Sequence, residues 1–572
     1  MTEGKRLSIA SKRRIITSQN PTTTGRSLVG VIDEGTSSVQ FSLYSVPFFK
    51  EVAKYQIELT MTTPHAGWYE QNPLELMDAI YECCEKACAQ LPELGYSVAD
   101  INCIGVTNQR ETTVVWDSRT GQPLYNALVW KDMRSEQCVD RVLSKLDNQD
   151  KNHFKHISGL PVSPYFSALK LRWLFDNVAE VRRVHREGFC KAGTIDTWIV
   201  WNLTKGALHI TDVTNASRTL LMDIDTLHWH PQLLRTFKID KTILPEIRSS
   251  SEIYGLITSD RCVLTGVPIS GILGNQHASL LGQMCVKPGQ AKNTYRSGCF
   301  LLCNIGERPV ISAHGLITTV AYKLGPNKPA TYALEGSVAV GGHALRWLET
   351  RMRVLKDYKN AEKSAEEVAT TGDVYFVPAF TGLYAPYWRK DARGLIIGLT
   401  QYSTKHHIVR AALEAICFQT RDILECMHQE SGFHLNKLHA DGSVSMNDLL
   451  MQLQADTAGL TVFRSQLTDT TTFGAALCAA QAEGIDLFDF HPDEVAYDVV
   501  DYDIFLPTST DDERHHRYSK WKRAVERSMG WVIKKTSRQI TDETYNLLSS
   551  IPAALFIMST FAMIIHSTTA GK

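Results

Sequence analysis

Three short polar clusters, each at the end of an apolar run, carry side chains suited to chemistry. The first is Asp33-Glu34-Gly35-Thr36-Ser37-Ser38. Backbone N–H groups around a glycine, with hydroxyls beside them, suit phosphate oxygens, and a carboxylate suits a Mg²⁺ on those phosphates. The same residues also make an ordinary hairpin turn, and the stretch alone does not separate the two readings. The second cluster is Asn108-Gln109-Arg110-Glu111. A guanidinium beside a carboxylate can grip vicinal hydroxyls, one donating and one accepting, or the two can simply pair. The third is Gly274-Asn275-Gln276, where Gly271 and Gly274 bring the chain tightly into a polar pair. A catalytic side chain fits such a turn, yet the amide of Asn275 takes up no proton at neutral pH.

These clusters need rigid elements behind them. Val29, Val31, Val39, Phe41 and Leu43 alternate on either side of the first tip, which predicts a β-hairpin. Residues 101–117 repeat the form of strand, polar tip and strand. Residues 72–90 and 165–177 have helical spacing, and 268–283 read as a buried strand, a glycine turn and a small-residue helix. After Pro288 the design restarts: 289–306 are strand, turn and strand, 373–382 a strand running into a loop, and 406–429 a long amphipathic helix. Residues 437–459 are strand, glycine turn and helix, a third place for a nucleotide at a helix N-terminus. Two halves, 28–285 and 286–530, each open with a hairpin and then mix strands with helices. That repetition predicts a duplicated α/β fold with ligands in the cleft between halves.

Together, "DEGTSS", "NQRETTVVWD", "PYFSALKLRWLFDN", "TNASRTLL", "PISGILGNQHASLLGQ", "AKNTYRSGCF", "YALEGSV", "VPAFTGLYAPYW", "ARGLIIGLT" and "DGSVSMNDLLMQLQAD" resemble the glycerol kinases of the FGGY sugar-kinase family. The resemblance spans about residues 28 to 530. It implies two actin-like (ribonuclease-H-type) α/β domains flanking a deep cleft, the first holding glycerol and the second the nucleotide side, with ATP and Mg²⁺ as cofactors. It implies Arg110, Glu111, Tyr165 and Gln276 as hydroxyl-binding residues and Trp130 and Phe300 as apolar walls. It puts Asn275 where the family carries its catalytic Asp, in contact with substrate. It assigns Asp33 to catalysis and, through water, to Mg²⁺. It assigns Thr36, Ser37, Ser38, Gln40, Ser297, Gly342, Arg346, Ser443 and Asn447 to ATP.

Several nucleotide-side positions depart from the family pattern. Glu34 replaces a Gln, Gln40 an Arg, Arg296 and Ser297 the Gly-Thr of a phosphate loop, and Ser443 a Gly. Arg296 in that altered phosphate loop is expected to stand in for the arginine missing at Gln40. Two functions follow from the resemblance: a glycerol kinase slowed at Asn275, or an inactive pseudoenzyme that still binds glycerol or nucleotide.

The 572 residues carry a formal net charge of −1, which gives no global basic field for nucleic acid. The 13 cysteines show no paired C-x-x-C, so neither a zinc site nor a disulfide framework is indicated, and reduced thiols in the cytosol are the simplest reading. Residues 1–27 are basic and rich in Ser and Thr, and read as a flexible arm or a mitochondrial presequence. In the 531–572 tail, Leu547–Ile565 has no charge over 19 residues. A helix of that length spans about 28 Å, close to the roughly 30 Å of a bilayer core. With basic residues on the body side, a C-terminal membrane anchor is expected, the alternative being a buried terminal helix. The resemblance places that anchor in the mitochondrial outer membrane with the body on its cytoplasmic face, and adds a homo-oligomer as a partner.

Overall fold

The computed structural model describes residues 7–9, 26–467, 469–489 and 501–532. In the first half, β1 (Leu28–Glu34) and β2 (Ser38–Ser45) form the expected hairpin, with Asp33 opposite Gln40. β1 pairs in parallel with β3 (Ile101–Asn108), and β3 in parallel with β4 (Pro268–Gly274). Antiparallel strands Lys50–Glu58 and Ser251–Leu256 complete six strands. Both faces of this sheet are covered, so its central strands read as continuous apolar runs. Leu28 and Ile32 pack with Leu76 and Ile80 of helix Pro73–Cys88, while Val29 and Val31 pack with Phe473 and Ala476 from the second half.

The second half has an eight-stranded sheet. β5 (Ala291–Tyr295) and β6 (Cys299–Gly306) form its hairpin, β6 pairs antiparallel with β7 (Thr331–Val338), and β5 pairs in parallel with β8 (Lys437–Asp441). Ile317–Tyr322 borders β7; Thr461–Ser465, Tyr502–Phe505 and Leu7–Ile9 extend the other side. In both halves, parallel strands bring their carboxyl ends level. Glu34 and Gly274 both register against Asn108, and Thr294 against Asp441. Loops leaving those ends are where α/β sheets bind ligands.

Four helices position the site: α1 (Asn275–Gly282), α2 (Gly342–Thr350), α3 (Asp448–Ala458) and α4 (Thr470–Ala480). α4 leaves the second half and lies on the first sheet. At Gly474 an added Cβ would stand 1.9 Å from the Ala278 carbonyl, and at Gly282 2.0 Å from that of Thr470. α1 and α4 therefore touch backbone to backbone, and any larger side chain at either glycine would push the halves apart.

Two expectations change. Residues 101–117 do not form a hairpin: β3 stays in the first sheet, while Thr113–Asp117 crosses to a separate four-stranded sheet. The divergence starts at Glu111, whose φ of 61° swings the chain out of strand geometry. Within the segment read as a flexible arm, Leu7–Ile9 instead pair antiparallel with Tyr502–Ile504. Among the described residues no helix is long and apolar enough to cross a membrane. The expected anchor at 547–565 lies outside the described residues.

Candidate active site

The side expected to hold the polyol is built around the ends of β3 and β4. Asn108 and Asn215 exchange two amide hydrogen bonds of 3.0 Å, and the Gly274 N–H donates to Thr214 Oγ1 at 2.9 Å. The Asp212–Arg218 stretch thus ties both strand ends together, with Asp212 accepting from Thr214 N and Asn215 N. Arg110 and Glu111, adjacent in sequence, are not each other's partners. Arg110 makes a bidentate pair with Glu335 on β7 (2.5 and 2.9 Å), and Glu111 accepts from Arg218 Nε at 2.6 Å. All four side chains are buried. Burial opposes ionisation of Glu335, but Arg110 and Arg218 overcome it and hold the carboxyl below its usual range.

Trp130 meets Tyr165 edge-on at 5.7 Å and Phe300 at 6.0 Å between centroids, and Arg110 lies over the Phe300 ring. Trp130 Nε1 donates to Thr36 Oγ1 at 2.9 Å, joining these rings directly to the tip of the β1–β2 hairpin. Burial, then Glu111, pushes the Tyr165 phenol well above its ordinary pKa, so it stays a neutral donor. Gln276 accepts from Lys292 Nζ at 2.5 Å through Oε1, which leaves its NH₂ group as the outward donor. Burial pushes the Lys292 ammonium down to about 8. Asn275 is the first residue of α1 and half-buried, and its side chain makes no hydrogen bond among the described residues. His277 offers no substitute base. It is fully buried, and burial together with Arg110, Arg218 and Lys292 holds it neutral.

On the side expected to hold the nucleotide, Asp33 is the second-last residue of β1. Gln40 Nε2 donates to Asp33 Oδ2 at 3.0 Å and also to Asp469 Oδ2. Asp469 caps α4, accepting from Thr471 N and Thr472 N. Burial and the Asp469 charge push the Asp33 carboxyl up to about 7, with Arg296 and the Gln40 hydrogen bond acting against them. The Arg296 charge is thus felt at Asp33. Glu34 points away from this groove. It is buried and accepts from Gln109 N and Nε2 at 3.2 and 2.6 Å. Burial first, and Asp33 among lesser causes, raises its pKa well above the usual value.

Gly35 N donates to Ser38 O at 2.8 Å and closes the tip, leaving Ser37 exposed and Ser38 partly so. The altered loop is docked on α2: Gly342 N donates to Arg296 O, and Gly341 N and His343 N to Ser297 O. The backbone N–H of Gly342, a residue expected at the nucleotide, is thus taken by the loop itself. Gly442, at φ 91°, packs its Cα against Tyr295, where a Cβ would stand 2.4 Å from the carbonyl oxygen. This close approach brings exposed Ser443 beside the loop, while Asn447 spends its carbonyl oxygen capping α3 at Leu450 N (2.7 Å). Arg346, one turn into α2, is exposed and lies over the Tyr358 ring.

Sequence reasoning missed Asp469, Glu335, Arg218 and Lys292. Asp469 before Thr470-Thr471-Thr472 carries an N-cap signature. Nothing in the sequence places that cap against Gln40, 429 positions away.

The class of protein is settled by comparison. Models for the FGGY family of carbohydrate kinases match the chain at residues 28–282 (N-terminal domain) and 292–483 (C-terminal domain). The chain belongs to that family. Within it, the chain is 44% identical over 507 residues to a probable glycerol kinase of Caenorhabditis elegans, covering 88% of this chain and 99% of the relative. It is 44% identical over 510 residues to glycerol kinase 1 of Streptomyces coelicolor, covering 88% and 98%. The crystal structure of Plasmodium falciparum glycerol kinase with ADP superposes with a TM-score of 0.82 at 37% identity, covering 89% of this chain and 99% of that one. A ligand-bound xylulose kinase from Lactobacillus acidophilus shares the fold, with a TM-score of 0.75 at 20% identity.

Proposed function

We propose that this chain is an ATP-dependent glycerol kinase, transferring the terminal phosphoryl group of ATP to a glycerol hydroxyl, and that Asn275 holds its turnover low. The carrying observation is the Trp130–Thr36 hydrogen bond. It sets the apolar wall of a small polyol pocket against the phosphate hairpin, so hydroxyl and phosphate are held side by side. The residues divide the work. Arg110, Tyr165 and the Gln276 NH₂ donate to hydroxyls, Glu111 accepts, and Trp130 and Phe300 cover the carbon chain and exclude water. Proximity of this kind is the main resource of phosphoryl transfer, whose loose transition state asks for positioning and charge neutralisation.

A divalent cation would enter with the nucleotide, held mainly by phosphate oxygens and water. Among the described residues no group of three or more His, Cys, Asp or Glu side chains could hold a metal. Asp33 would hold Mg²⁺ through water, and Asp469 beside it crowds negative charge that a cation relieves. When bound, the ion would neutralise phosphate charge. Arg296, near Asp33, reaches the same phosphates from the second half.

A general base contributes about 10²- to 10⁴-fold, or roughly 3–5 kcal/mol of barrier. Asn275 forgoes that contribution while still accepting a hydrogen bond from the attacking hydroxyl. In a coupled assay for glycerol 3-phosphate, Asn275→Asp is expected to exceed wild type by more than tenfold. Wild-type turnover within about tenfold of that variant would refute a rate limited at Asn275. The same missing base supports a second reading, a pseudoenzyme that binds glycerol or nucleotide without turnover; it predicts glycerol binding with no product from wild type.

The proposal extends to location. The halves 28–285 and 286–530 form a cytoplasmic body held at a membrane, the mitochondrial outer membrane, by residues 547–565. The uncharged run at those positions supports this. Removing residues after Gln539 should release the protein into the soluble fraction, and a truncated chain that still sediments with membranes would refute the anchor.

A further inference from the structure

The buried charges around Arg110 and Glu111 exceed what two ligand side chains need. Glu335 sits on β7 of the second half, yet its carboxylate is spent on first-half residues: Arg110 Nη1 and Nη2 at 2.5 and 2.9 Å, and Arg218 Nη2 at 3.2 Å. Arg218 Nε then reaches Glu111 Oε1 at 2.6 Å. The order Glu111, Arg218, Glu335, Arg110 is a charge-neutral chain, fully desolvated at every member. Neutrality is what lets four charges be buried together, because a lone buried charge is strongly disfavoured.

Geometry gives the chain a direction. The bidentate pair uses one N–H of each terminal nitrogen of Arg110, so Glu335 sets the plane of the guanidinium while Nε–H and the second N–H of each terminal nitrogen stay outside that pair. Glu111 gives one oxygen to Arg218 and keeps the other. Glu335 pairs across the sheet with Leu302, and Ser337, two residues on, with Phe300. Glu335 and Phe300 therefore rise from the same face of the second sheet. Arg110 cannot keep its orientation if the halves separate, because its partner belongs to the other half.

We propose that Glu335 and Arg218 are positioning residues for polyol binding: Glu335 orients Arg110 across the contact between the halves, Arg218 orients Glu111, and the hydroxyl-gripping pair is assembled only when the halves are closed. This rests on Arg110 and Glu111 being polyol ligands. Closure and polyol binding are then one equilibrium, and each favours the other by the same factor.

The test uses the full-length protein with Glu335→Gln, which keeps shape and a hydrogen-bonding edge but removes the charge. Glu335→Asp keeps the charge and withdraws it by one methylene, and Arg218→Lys keeps the charge but loses the fork. Calorimetric titration with glycerol and, separately, with Mg·ADP is paired with small-angle X-ray scattering of the unliganded proteins. Each variant is expected to weaken glycerol binding at least tenfold and Mg·ADP binding by a clearly smaller factor, because the nucleotide shares the closure but not the oriented polyol pair. Equal losses for both ligands, the mark of a general folding defect, overturn the assignment. Glu335→Gln is expected to show a larger radius of gyration than wild type, reversed by saturating glycerol. Wild-type glycerol affinity in either Glu335 variant overturns the proposal. If wild type binds no glycerol, the polyol reading fails by itself, and an unchanged radius of gyration in Glu335→Gln would then overturn the closure as well.

Discussion

With the role proposed for Asp33, nucleotide binding is expected to depend on pH near neutrality. The Asp33 carboxyl is pushed from 3.8 to about 7 by burial and by the neighbouring Asp469 charge. The sign follows directly. With the folded-state pKa above the unfolded one, this group favours folding below about pH 4, and the contribution is lost as pH rises through 7. Binding of Mg·ADP needs the ionised carboxylate, so affinity moves the other way. At pH 6 about one-tenth of the free protein has Asp33 ionised, and at pH 8 about nine-tenths, so affinity should rise about tenfold between them, or about 1.4 kcal/mol. At pH 7 binding should release about half a proton, measurable as the dependence of calorimetric enthalpy on buffer ionisation heat. Asp469→Asn retains a good N-cap for α4 and removes the neighbouring charge. It should lower the midpoint and restore affinity at pH 6. A flat Mg·ADP affinity between pH 6 and 8 in wild type, or an unmoved midpoint in Asp469→Asn, would refute the electrostatic account.

Two further outcomes are expected from the nucleotide side. Arg296→Gly should weaken Mg·ADP binding about tenfold, the scale of one charge-assisted contact; improved affinity in the variant would show that the arginine obstructs the loop. Gly442→Ala should lower thermal stability by about 2 kcal/mol or more, because a Cβ would enter the Tyr295 carbonyl at 2.4 Å and φ is 91°. An unchanged melting temperature would mean that the turn adapts.

Much of this site was legible because its groups are local. Asp33 with its hydroxyl tip, and Asn275-Gln276 at a strand-to-helix turn, are short segments whose glycines and periodicity report their own backbone. The hairpins at 28–45 and 291–306 formed as their alternation required. Residue order marks Arg110-Glu111 as a polar strand end but does not show which charge each one meets. Adjacent residues at a turn with φ 61° point to different neighbours, and those neighbours, Glu335 and Arg218, lie more than a hundred residues away. Residues 101–117 failed as a hairpin for the same reason, since alternation marks strands but not which sheet they join.

By itself, the sequence determined the α/β class, the repeated hairpin-first halves, and the residue types at three chemically competent turns, including an amide where a base is expected. Only the tertiary structure decided which charges meet. Backbone contact of α1 with α4 carries Asp469 to Asp33 and Gln40, and closure of the halves carries Glu335 to Arg110. Those contacts set the pKa of Asp33 and the orientation of Arg110. Electrostatic coupling depends on distance through space and on the water excluded there, and neither quantity is written in the order of the residues.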